Sequence, residues 1–106
     1  MTLPELKIPW HAIDAKSVDG LARELEREVG PEHILYGKKA QAIAARQDCD
    51  DVLFAIQATQ PEYAVVHLTW IMKTEIDPRY PSTEIFESLE DWQRLRMIPD
   101  HEDFTG

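Results

Sequence analysis

The sequence predicts an α+β domain: an antiparallel three- to four-stranded meander with an N-terminal and a C-terminal helix packed on one face. Three observations predict it. An apolar stripe at helical spacing runs through residues 18–29 and stops at Gly30-Pro31. Two segments with period-2 apolar patterns, 51–57 and 63–72, lie only a short turn apart. Ser88, with Asp91 three residues on, then opens a second helical pattern after a proline-rich loop.

Residues 1–16 contain Pro4 and Pro9 and show no period, so they read as an irregular arm anchored by Trp10 and Ile13. Ser17 is the expected N-cap of the first helix, with Asp19 in the first turn where a carboxylate suits the helix dipole. Val18, Leu21, Leu25 and Val29 form the buried stripe, and Arg23, Glu24, Glu26, Arg27 and Glu28 cover the other side. Segment 39–47 is ambiguous. Its alanines suit a short helix, but the polar spacer Asp48-Cys49-Asp50 and the strand after it favour a hairpin. Val52, Phe54 and Ile56 share one face of the next strand, and residues 58–61 are the turn after it. The following strand, 63–72, has Ala64, Val66, Leu68, Trp70 and Met72 on one face. Tyr63, Val65, His67, Thr69 and Ile71 lie on the other. "KTEIDPRYPST" reads as a loop and "TEIF" as a short fourth strand. Leu89, Trp92 and Leu95 or Arg96 then sit at helical intervals until Pro99, and residues 99–106 read as an irregular acidic tail. With both helices on one side, the other sheet face would be partly open.

The 106 residues, 43% of them hydrophobic, suit one domain spanning 1–106 with a real core. The formal charge is −9, from 11 basic and 20 acidic residues. That balance disfavours nucleic acids and anionic membranes and favours a basic protein partner. One cysteine excludes an intrachain disulfide. No signal-peptide pattern and no apolar run of membrane length stand in the chain, so the expected address is cytoplasmic. Dispersed glycines exclude the nucleotide-binding loops. No cofactor and no metal is expected, because "DCDD" and "DHED" lack the spacing of a calcium loop. Acidic neighbours would also raise the Cys49 pKa, which argues against a catalytic thiolate.

Two sets of site candidates remain. His67 and Thr69 alternate onto one side of their strand, where His67 could act as a general base with His33 or Asp51 nearby. The plain alternative is a structural or surface histidine. The second set is Glu75, Asp77, Tyr80, Glu84, Glu87 and Asp91. It belongs to a C-terminal third with nine acidic residues against Arg79, Arg94 and Arg96. Aromatics within a charged rim suit a protein-binding surface. Phe86 and Trp92 fit a core equally well, which leaves Tyr80 as the exposed anchor.

"DDVLF", "AVVHLTW", "PSTEIFESLEDW" and "PDHEDF" together resemble a group of short uncharacterised bacterial proteins, over roughly residues 18–104. That resemblance implies a free-standing bacterial domain and transfers no catalytic residue. In size, acidity and α+β pattern the chain is also loosely similar to immunity proteins of bacterial toxin systems. The expected function is therefore a non-catalytic module that covers a cationic partner. The alternatives are a small enzyme or ligand-binding domain built on His67, and a homodimer formed through a strand edge.

Overall fold

A computed structural model describes residues 4–57, 62–71 and 73–106; the expected turn at 58–61 and residue 72 lie outside them. Helix α1 spans Ala15–Glu28 and opens at Asp14 rather than at Ser17. The Asp14 carboxylate accepts the N–H groups of Lys16 at 2.9 Å and Ser17 at 3.0 Å. It thereby satisfies donors that the first turn leaves free. Leu25 and Val29 are buried and Leu21 packs beside them, so the stripe faces inward as its spacing implies.

Five strands form one antiparallel sheet in sequence order: β1 (Trp10–Ala12), β2 (Ala40–Arg46), β3 (Asp51–Ile56), β4 (Glu62–His67) and β5 (Ser82–Phe86). The meander and the fourth strand at "TEIF" agree with expectation, and segment 39–47 is a strand. The arm at 1–16 is not wholly irregular. Trp10, His11 and Ala12 pair with Arg46, Ala45 and Ala44 and add a fifth strand. Three residues are too few for a period to register. The last long strand also ends early, at His67 rather than at residue 72, because the backbone turns away at Leu68.

The two helical regions lie on opposite faces, not on one. Val52, Phe54, Ile56, Ala64 and Val66 point to a core closed by Leu25, Val29 and Leu35. Leu53, Tyr63 and Val65 point the other way, to a core with Trp10, Phe86, Trp92 and Met97. An α1–sheet–helix sandwich results, so both faces of the sheet carry a core, while the edge strands β1 and β5 stay partly exposed. In β2 the registers Ala42↔Phe54 and Ala44↔Leu53 leave Ile43 as an extra residue. This bulge carries Ala42 to one core and Ala44 to the other.

The second layer is α2 (Leu89–Trp92), a π-helical turn (Gln93–Met97) and α3 (Ile98–Thr105). Ser88 caps it as expected, its Oγ accepting the Asp91 N–H at 3.0 Å. Pro99 does not end the helix, and the supposed irregular tail is helical. Pro99 stands in the first turn of α3, where its missing N–H is harmless. The chain before it widens, so that Ile98 N–H reaches Gln93 O. Trp92 packs edge-on against Trp10, with ring centroids 5.2 Å apart at 85°.

Leu53 and Phe54 are adjacent, fully buried and in opposite cores. Each should therefore be costly to truncate: about 2–5 kcal/mol for Leu53→Ala and about 3–5 kcal/mol for Phe54→Ala. Urea unfolding measures both. A loss well under 1 kcal/mol for Leu53→Ala would mean that the C-terminal helices do not seal the second face.

Candidate functional site

Two sets of candidate side chains meet at the end of β4, one at its last residue and one just beyond it. His67 closes the strand. Its register partners are Asp51 on β3 and Ser82 on β5, so the three side chains share one row and one face. His67 Nδ1 lies 2.7 Å from Asp51 Oδ1. The other oxygen of Asp51 accepts from Arg96 Nη2 at 2.8 Å. Burial pushes the Asp51 carboxyl upward, but the hydrogen bonds from His67 and Arg96 outweigh it and hold the group below the usual carboxylate range.

Arg96 is the hub of this row. It projects from the π turn, bonds Asp100 Oδ2 through Nε at 3.1 Å and meets Glu84 through Nη1. Asp100 also accepts from Trp10 Nε1 at 3.0 Å and lies 3.3 Å from Arg46, which in turn holds Asp48. The network therefore fastens α3 to β1, β2, β3 and β5. A cleft of about 320 Å³ opens over its outer edge, lined by Asp51, Val65, His67, Ser82, Glu84 and Arg96.

The second set begins with Glu28, which is fully buried at the end of α1. Its Oε1 accepts Thr69 N–H at 2.8 Å and its Oε2 accepts Trp70 N–H at 3.0 Å. Trp70 has φ of 53°, the left-handed region. Such a backbone is costly for a tryptophan, and this pair of hydrogen bonds holds it there. Further ties fix the loop that follows. Thr74 Oγ1 donates to Arg27 O at 2.9 Å, and Glu75 N–H donates to Glu28 O at 2.9 Å. Gly30 lies so close that a Cβ there would stand 2.7 Å from Glu75 O. His33, buried, closes the far end. Leu35 N–H donates to its Nδ1 at 3.0 Å, which leaves the proton on Nε2 for Pro81 O at 2.9 Å.

The expected pair of His67 and Thr69 is not assembled. Thr69 lies past the end of β4, and its Oγ1 is buried without a hydrogen-bond partner among the described residues. His33 also does not join His67. It sits with Thr83, whose register partner Val66 faces the opposite core. Asp51 is the residue that does meet His67. Of the acidic set, Asp77 is paired with Arg79 at 2.6 Å, Asp91 with Arg94 at 3.3 Å, and Glu84 with Arg96. Glu87 is exposed, and Tyr80 is exposed with the Arg79 guanidinium 5.8 Å from its ring centre. Phe86 and Trp92 are core. Desolvation and the nearby Asp51 and Asp48 charges push the Cys49 thiol up. Sequence reasoning missed Arg96 and Glu28. Neither stands in a motif, and each acts on residues more than forty positions away.

Among the described residues no cluster of three or more metal-ligating side chains occurs, and no helix is long and apolar enough to cross a membrane. Comparison with protein-family models, curated proteins and solved structures gives no match.

One turn before Glu28 stands Glu24, also buried, with Oε2 lacking a hydrogen-bond partner among the described residues. A hydrogen bond to Glu28, burial and the Glu28 charge push the Glu24 carboxyl up to about 7, against the pull of Arg27. The folded chain thus holds this proton more tightly than the unfolded chain does. Its contribution to stability is complete below about pH 4.5 and is lost as pH rises to about 7. The loss is at most about 3 kcal/mol. Denaturant titrations from pH 4.5 to 8 should show this decline in the parent protein and a flatter profile in Glu24→Gln. Parallel profiles would refute the assignment.

Proposed function

We propose that the chain is a protein-binding module whose recognition element is the loop between β4 and β5, and that its partner is basic. One observation carries the reading. This loop is pinned at both ends by buried polar contacts, yet it exposes Trp70, Ile71, Ile76 and Tyr80. Ile76 is 96% exposed. Backbone that is already ordered loses little entropy on binding, and rigid aromatic anchors give affinity at small ordering cost. Large apolar side chains held outward on a fixed loop have little value for folding alone.

Charge supports a basic partner more through the whole molecule than through the loop. Arginines already match Asp77, Glu84 and Asp91, so these carboxylates serve local structure first. The overall charge of −9 still steers a cation toward the surface. The most concrete version of the reading is an inhibitor that caps a cationic toxin domain. The likeness to immunity proteins in size, acidity and α+β pattern supports that version.

The test compares the parent chain with the triple variant Trp70→Ala, Ile76→Ser, Tyr80→Ala in pull-downs from lysate of the source organism, at low and high salt. The parent should retain one basic protein in stoichiometric amount, with binding that weakens as salt rises. The variant should bind it at least about a hundredfold more weakly while keeping the parent far-UV spectrum, since central anchors each contribute on the order of 2 kcal/mol. Equal retention by both forms would remove the loop from the interface.

A further inference from the structure

The row at the end of the sheet suggests chemistry that the loop does not need. Asp51, His67 and Ser82 stand side by side on β3, β4 and β5 as direct register partners. That order of carboxylate, imidazole and hydroxyl is the one that activates a serine oxygen. We propose that these residues form an acyl-transfer site, with Ser82 as the nucleophile, acting on small neutral or cationic esters.

Each part has the state the chemistry requires. Asp51 is mostly buried and bonded by Arg96, so it is a fixed anion. The anion accepts a hydrogen bond from His67 Nδ1–H, and in that tautomer Nε2 carries the free lone pair. The ring is tethered on its β3 side and half exposed, so Nε2 turns away from Asp51, and β5 with Ser82 lies on that side of β4. Ser82 is exposed, and rotation about one bond brings its hydroxyl toward the imidazole. No hydrogen bond joins Ser82 to His67 among the described residues; in the proposed site that bond forms as substrate binds.

The reaction balances without a cofactor. Ser82 Oγ attacks the ester carbonyl carbon as its proton passes to His67 Nε2. The bond from carbon to the leaving oxygen then breaks, and that oxygen takes the proton from Nε2. Water repeats the sequence on the acyl-serine and releases the acid. Arg96 lines the same cleft and keeps two N–H groups beyond its bonds to Asp51, Glu84 and Asp100, which can face the developing oxyanion. The cleft, at about 320 Å³, holds only a small molecule, and Asp51 and Glu84 repel anions from its mouth.

The test treats the full chain with p-nitrophenyl acetate and, separately, with a fluorophosphonate probe. Peptide mapping then locates the adduct. One adduct per chain on Ser82 is expected, with a burst of p-nitrophenol. Ser82→Ala should lose the adduct, and His67→Ala should slow it by at least about a hundredfold. Thermal melts must show both variants folded; a variant that does not fold is replaced by Ser82→Gly or His67→Gln. The exposed Glu32→Gln variant, on the turn after α1 and away from the row, should acylate at the parent rate. No adduct on Ser82, or one that forms equally fast without His67, would overturn the proposal.

Discussion

The carboxylate of Glu28 is the contact on which the rest of this structure depends. It ends α1 in the core and spends both oxygens on the backbone of Thr69 and Trp70. A buried carboxylate without such donors would be very costly, so the helix and the loop require each other. The chain leaves β4, is caught by Glu28 in a left-handed turn, and is then led past the end of α1 toward β5. Glu24, one turn earlier, holds its proton more tightly because the hydrogen bond to Glu28, burial and the Glu28 charge outweigh the pull of Arg27.

The sheet follows from a simple alternation whose second half was legible but undervalued. "DVLFAI" has apolar residues on both sides of the strand, and "YAVV" repeats the pattern. A continuous apolar run implies burial on two faces. Reading only Val52, Phe54 and Ile56 as the buried side placed both helices on one face. Leu53, Tyr63 and Val65 belong under Trp92 and Met97. Segment 1–16 was hidden for another reason: β1 exists only because β2 offers it an edge, and three residues carry no pattern of their own. The helical tail past Pro99 was hidden because proline at a first turn and proline at a helix end look alike in sequence.

The charges were the least legible part. An excess of carboxylates suggested a free acidic field, yet Asp48, Asp51, Asp77, Glu84, Asp91 and Asp100 all have arginine partners. Only Asp48–Arg46, Asp77–Arg79, Asp91–Arg94 and Asp100–Arg96 are close in sequence, and those could have been read locally. Arg96 meets Asp51 across forty-five positions. No spacing rule reports such a pair, because the strand order creates it.

His67 shows how one strand end can serve two sites without mixing them. Side chains alternate across the sheet, so His67 faces the Arg96 side. Leu68, next in the chain and just past the strand, is buried in the α1 core, and its N–H is held by Asp50 O at 3.1 Å. Two residues later the backbone is already bound to Glu28. Leu68 is therefore the separator. Its burial fixes the strand end that presents His67 to the cleft and the start of the turn that presents Trp70 to solvent. The proposed chemistry at the row and the proposed recognition at the loop would then share one support, the end of β4, while drawing on different residues.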